Sequence, residues 1–222
     1  FPADARPPQI AGFRQAPYWT LSHALANDEG SVMVDFVMIP GLNNSGPSHW
    51  QTLWEPLLGA RRVVQRDWSR PALDHWADAV TQHLDSRRRP SVLIAHSLGC
   101  LAVASAWPQI SPWVLAVLFV APANPCHFSL RLPAHRIDVP SLLLASRNDR
   151  WLAFEEAQRL ARLWGSELVD MGLVGHINVD SGHGHWPEGW RRLGDLLDRG
   201  GLGGLSAPFD GGDHTPGLAG CG

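Results

Sequence analysis

The chain is short of cysteine, of charge and of long apolar stretches, and each shortage excludes something. Its three cysteines, Cys100, Cys126 and Cys221, are an odd number without metal-like spacing, which fits a reducing compartment, and a cytoplasmic protein is expected. Charged residues are 18% of the chain and the formal net charge is -3. Apart from Arg61–Arg62 and Arg87–Arg88–Arg89 the basic residues are scattered, so no electrostatic footprint for nucleic acid is present. No apolar run approaches the roughly 18 residues a membrane span needs. The first residues lack a basic start and an apolar core, so no secretory leader is expected. Phosphate-loop chemistry is also excluded: Asn43–Asn44–Ser45–Gly46 has no following lysine and no Gly-x-x-x-x-Gly-Lys pattern.

What is present is apolar residue and tryptophan. Hydrophobic residues make up 45% of 222 residues, enough for one domain with a sizeable core. The stretch around which the rest is organised is Val92–Leu93–Ile94–Ala95–His96–Ser97–Leu98–Gly99–Cys100–Leu101. Four apolar residues suit a buried strand, and the small-residue run from Cys100 to Ala106 suits a closely packed helix. A serine between them stands at a sharp strand-to-helix bend, with the amides of the new helix pointing back at it. Gly99 is expected where the helix passes too close to the strand for a Cβ.

The flanking pattern is strand and helix in alternation. Strands are expected within 32–39, at 62–65, 114–120, 141–145 and 167–170, and helices at 49–57, 72–84, 154–163 and 188–197, with Ser48 as cap of the first. The unbroken run Val114–Val120 reads as a strand covered on both faces, the usual state in a parallel sheet. The expected architecture is a three-layer α/β/α sandwich with a mostly parallel sheet, over residues 31–199. Residues 1–30, with a short helix from Pro17 to Ala26, are expected as a peripheral arm. Residues 200–222 are expected as a flexible Gly/Pro-rich tail with little to bury.

In such sheets ligands sit outside the carboxyl ends of the strands, so the loops after strands hold the candidates. Ser97 needs a base within reach and an acceptor to orient that base. Asp149 follows the strand 141–145, and His176 follows the strand 167–170, giving nucleophile, acid and base in chain order. Asp170 and Asp180 are rivals for the acid, and His183 and His185 for the base; His96 should be a packing or hydrogen-bonding neighbour. Backbone donors for a carbonyl oxyanion are expected from Leu98 and from Leu42, with Asn43 as second choice. Of the eleven tryptophans, Trp50, Trp54, Trp68, Trp151 and Trp186 fall near expected loops and could wall a pocket. Asp180, His183 and His185 put three ligand types within six residues, yet the usual zinc spacings are not matched, and a glycine-rich pocket rim is the expected reading. Neither metal nor cofactor is expected.

Together these residues resemble the small α/β-hydrolases of the retinoblastoma-binding-protein-nine/YdeN group of serine hydrolases. The matching pieces are Ile39–Gly46, His49–Trp50, Trp54–Glu55, Asp67–Trp68, His96–Ser97–Leu98–Gly99, Asn148–Asp149 and Gly175–His176–Ile177–Asn178, over about residues 34–198. The resemblance implies Ser97 as nucleophile, Asp149 as acid and His176 as base, and a supporting part for Asp67–Trp68. The chain departs from the general hydrolase elbow in carrying Ala95 where glycine is usual. The segment Ala121–Val139 is too short for a large lid domain. The expected function is hydrolysis of a small carboxylic ester, or of a short peptide, through an acyl-enzyme; a hydrolase-fold binding protein with weak or no activity is the alternative.

Overall fold

The computed structural model describes residues 34–128 and 135–205. The expected N-terminal arm, with its helix at Pro17–Ala26, and the tail beyond residue 205 lie outside the described residues. Six strands and five α-helices carry the fold: β1 (Asp35–Ile39), α1 (Trp50–Leu58), β2 (Arg61–Arg62), α2 (Leu73–Arg87), β3 (Ser91–His96), α3 (Leu98–Ile110), β4 (Val114–Val120), β5 (Ser141–Ala145), α4 (Phe154–Trp164), β6 (Glu167–Asp170) and α5 (Pro187–Arg199). All pairings are parallel, in the order β2-β1-β3-β4-β5-β6.

The alternation of side chains along the strands divides the core in two. Leu93 and Ala95 of β3 face a layer built from α2, α3 and α4, with Trp76, Val80, Leu101, Leu160 and Trp164. Val92 and Ile94 face the opposite layer, where Trp50 and Trp54 of α1 meet Leu193, Leu196 and Leu197 of α5. Both faces are covered, which is why β3, β4 and β5 are nearly continuous apolar runs. From β1 the chain moves outward to β2 by way of α1, then returns by α2 to the other side of β1. Right-handed crossovers therefore put α1 on one face and α2 and α3 on the other. The loops leaving β1 and β3 diverge, and a crevice opens at their carboxyl ends.

Several boundaries differ from the sequence expectation. The cap of α1 is His49, not Ser48: its Nδ1 accepts the Gln51 amide at 3.2 Å. The strand expected at 62–65 is only Arg61–Arg62, because β1 ends at Ile39 and Pro40 has no N–H to extend the ladder. The helix expected to end at Leu84 continues to Arg87, whose guanidinium pairs with Asp35 at the start of β1. The first residues of the expected tail are not loose: Leu202 is buried against α5, with its amide on the Leu197 carbonyl at 2.7 Å.

Candidate active site

The bend at Ser97 is imposed from both sides. Ser97 has φ 53 and ψ -121, a conformation that L-residues rarely adopt, and its amide is held by the Val120 carbonyl at 3.1 Å. A Cβ on Gly99 would lie 2.3 Å from the Ile39 carbonyl and 2.6 Å from that of Pro40. The close approach is thus to the end of β1, not to the strand the helix leaves. A Cβ on Gly41 would lie 2.6 Å from the Ser97 Cβ. Ala95, at the relaxed elbow position, is fully buried within β3.

Ser97, His176 and Asp149 are brought together. Ser97 Oγ lies 3.0 Å from His176 Nε2, and His176 Nδ1 lies 2.8 Å from Asp149 Oδ2. Both bonds have a donor when His176 carries its proton on Nδ1, donates it to Asp149 and accepts from the serine hydroxyl. Asp149 Oδ1 accepts the Trp151 amide at 2.8 Å, so both carboxylate oxygens are occupied. The helix that follows is capped at Ala153 without a side chain, so Asp149 is not a helix cap.

The histidine is positioned by its neighbours, among them His96, the expected hydrogen-bonding neighbour. Asn148 Oδ1 accepts the Gly175 amide at 2.8 Å and the Ser146 hydroxyl at 2.7 Å, tying the loop after β6 to the loop after β5. His96 is buried at the cleft wall; burial holds its pKa well below the usual value, and as a neutral ring it donates Nε2–H to the His176 carbonyl at 3.0 Å. Gly175, at φ 66, approaches Ser181, where a Cβ would lie 2.7 Å from the Ser181 Cβ. Gln51 is fully buried and stitches the crevice. Its Nε2 donates to the carbonyls of Ile94 at 3.0 Å and Ile39 at 3.4 Å, while its Oε1 accepts from Ser45 at 2.7 Å. Arg62 clamps the same loop through the Asn44 side chain and the Ser45 carbonyl, each at 2.8 Å. A buried glutamine inside a helix has no periodicity signal, which is why Gln51 went unread.

Of the two candidates on the first loop, Asn43 donates its amide to the Trp68 carbonyl at 2.8 Å, while Leu42 has no such bond among the described residues. Leu42 and Asn43 both line a cleft of about 430 Å³ with Ser97, His176 and His49. Of the expected tryptophan wall only Trp151 reaches it, 43% exposed. Trp50 does not wall the cleft as expected: fully buried, it donates its indole N–H to the Ile177 carbonyl at 2.8 Å. Trp54 likewise donates to the His185 carbonyl at 3.1 Å, and Trp186 stacks on Trp54 with centroids 5.7 Å apart. Trp68 packs edge-on against Trp76 on the α2 side. Large apolar rings with one donor are better satisfied by closing loops onto the core than by facing a cleft.

The rival site residues are engaged elsewhere. Asp170 accepts from Arg147 at 2.6 Å and from the Gly172 amide at 2.9 Å, and these bonds hold its pKa below the usual carboxylate value. Asp180 lies exposed on the cleft rim, His183 bonds Ser181 at 3.1 Å, and His185 is exposed. Among the described residues no three His, Cys, Asp or Glu side chains are grouped to hold a metal ion, and no helix is long and apolar enough to cross a membrane. Cys100 lies beneath the bend with Sγ 3.4 Å from the Ala95 carbonyl, and burial pushes its thiol pKa up.

A family model described as serine hydrolase matches residues 36–195. Among solved structures, a protein described as a YdeN-like hydrolase from Pectobacterium atrosepticum is 38% identical, with a TM-score of 0.71 over 76% of this chain and 92% of that one. The ydeN gene product of Bacillus subtilis is 20% identical, with a TM-score of 0.63 over 75% of this chain and all of that one. Est1E of Butyrivibrio proteoclasticus, solved with ferulic acid, shares the fold at 12% identity and a TM-score of 0.60, over 75% and 89% of the two chains. No curated protein matches.

Proposed function

Because the chain belongs to the serine hydrolase family, with a YdeN-like hydrolase among its relatives, we propose that it cleaves small carboxylic esters through an acyl-enzyme on Ser97. The observation that carries the reading is the continuous hydrogen-bond path from Ser97 Oγ through the His176 ring to Asp149, at 3.0 and 2.8 Å.

In the proposed cycle His176 Nε2 takes the hydroxyl proton as Ser97 Oγ bonds to the ester carbonyl carbon. The carbonyl π pair moves onto oxygen, where the amides of Leu98 and Leu42 stabilise the charge. Asp149 keeps Nδ1 protonated and stabilises the imidazolium. Collapse of the intermediate expels the alkoxide, which receives the proton from His176 and leaves as the alcohol. Water, deprotonated by His176, then attacks the acyl-serine, and the carboxylic acid departs as Ser97 regains its proton. An ester needs less leaving-group assistance than an amide, which makes esters the primary substrates and short peptides the secondary ones. The catalytic unit is the stretch 31–199, and no cofactor enters the cycle.

A fluorophosphonate probe tests this directly. The wild-type protein is expected to label on Ser97 and to hydrolyse short 4-nitrophenyl esters, with both lost in Ser97→Ala. A wild-type protein that neither labels nor turns over would leave a binding protein on a hydrolase fold.

A further inference from the structure

One imidazole on the cleft wall has no part in the proposed cycle. His49 lines the cleft with Ser97 and His176, only 5% exposed, its ring centroid 5.0 Å from that of His96. Its Nδ1 accepts the Gln51 N–H, so the ring proton resides on Nε2. Burial and the nearby Arg62 lower its pKa to about 4, which keeps the ring neutral at physiological pH. Nε2 makes no hydrogen bond with the described residues, and it is not among the polar atoms sealed from solvent. The donor is therefore uncharged, held by the cap bond, and without a partner among the described residues, on a residue that lines the cleft. Around it the cleft is lined by Asn43, Asn44, Asn124 and Asn178.

We infer that His49 is a substrate-binding residue, its Nε2–H donating to an oxygen acceptor beside the scissile ester, so that the cleft selects oxygenated acyl or alcohol groups over plain alkyl ones. The inference rests on the serine hydrolase reading. Its physical basis is asymmetry: an alkyl group seated here strips water from the donor and returns nothing, whereas an ether, hydroxyl or carbonyl oxygen replaces that water.

The test uses two isosteric pairs that differ by one CH₂ replaced with oxygen. These are 4-nitrophenyl methoxyacetate against 4-nitrophenyl butyrate, and 2-methoxyethyl acetate against butyl acetate. The readout is the ratio of kcat/KM within each pair, compared between wild type and variants so that intrinsic reactivity cancels. His49→Asn keeps an acceptor for the Gln51 amide but withdraws the outer donor; His49→Gln extends a donor to the outer position but gives up the cap. His49→Ser serves as a second cap-keeping variant. The expected result is a fall of about tenfold in the oxygenated-to-alkyl ratio of at least one pair for His49→Asn and His49→Ser, with recovery in His49→Gln. Wild-type ratios in both pairs for all three variants would reduce His49 to a helix cap and overturn the inference alone. A wild-type protein that hydrolyses neither pair and takes no fluorophosphonate would overturn the serine hydrolase reading and this inference with it.

Discussion

Trp50 and Trp164 are both fully buried, yet replacing each by phenylalanine should have opposite polar consequences. Each change removes the same ring atoms from a packed core, so the packing losses are of similar size, about 1–3 kcal/mol. Trp50→Phe also strips the Ile177 carbonyl of its donor, and an unpaired buried carbonyl costs about 1–3 kcal/mol. Trp164 Nε1 is buried with no partner among the described residues, so Trp164→Phe removes an unsatisfied donor and recovers a similar amount. The two variants should therefore differ by about 2–6 kcal/mol, with Trp50→Phe the less stable. At roughly 2–4 °C per kcal/mol for a chain of this size, the melting temperatures should separate by about 5 °C or more. Urea denaturation gives the free energies and a parallel ester assay gives the second readout. Because Ile177 follows His176, Trp50→Phe should also lower kcat by about tenfold, while Trp164→Phe, on the opposite layer, leaves it within twofold. Equal melting temperatures would refute the hydrogen-bond argument. Separated melting temperatures with equal kcat would refute the claim that the indole positions the histidine.

Asp149→Asn should cut kcat by roughly 10³–10⁴-fold with little change in melting temperature, since the amide can keep the Trp151 turn but not the charge; a loss under tenfold would reassign the acid. Gly99→Ala sets a Cβ against two backbone carbonyls that cannot yield, and should cost about 2–3 kcal/mol in urea denaturation, a melt within 2 °C of wild type being the contrary result. Asn148→Ala frees the Gly175 amide and should lower kcat several-fold, more than it raises KM, in steady-state ester kinetics. Stability should also fall on acidification: the unfolded chain protonates His49 near pH 6.5 while the folded ring resists until about pH 4. Stability from this group is complete above pH 6.5 and is lost as pH falls towards 4, by about 3 kcal/mol at 1.36 kcal/mol per pH unit. His49→Asn should flatten that slope in pH-dependent unfolding, and an unchanged slope would count against the buried neutral ring.

The strands of the sheet centre were legible because they are uninterrupted apolar runs with abrupt ends. Val114–Val120 and Ser141–Ala145 stand where the pattern put them, as does the edge strand Glu167–Asp170, which is not an apolar run. Helix ends were less so, since the last turn of α2 faces solvent and carries polar residues without period. Ser97, Asp149 and His176 could be nominated from their places after strands, and their side chains lie within hydrogen-bond reach of one another. The tryptophans were misjudged because nearness to a loop in sequence says nothing about direction. Trp50 and Trp54 point inward and hold the loop from beneath. Gln51, and the bridging part of Asn148, were illegible for a related reason: each joins segments far apart in the chain, and local pattern carries no record of such partners.

The stitching by Gln51, Trp50 and Asn148 has a practical corollary. Gln51 and Trp50 hold the loops of the site from beneath the cleft, while the side chains of Trp151, Val179 and Asp180 stand on its lip with wide access to solvent. Remodelling for a new acyl preference can proceed on the lip as on any loop surface, with the chemical apparatus left intact. Libraries confined to those three positions should yield mostly folded, active proteins, whereas randomising the floor should yield mostly dead ones.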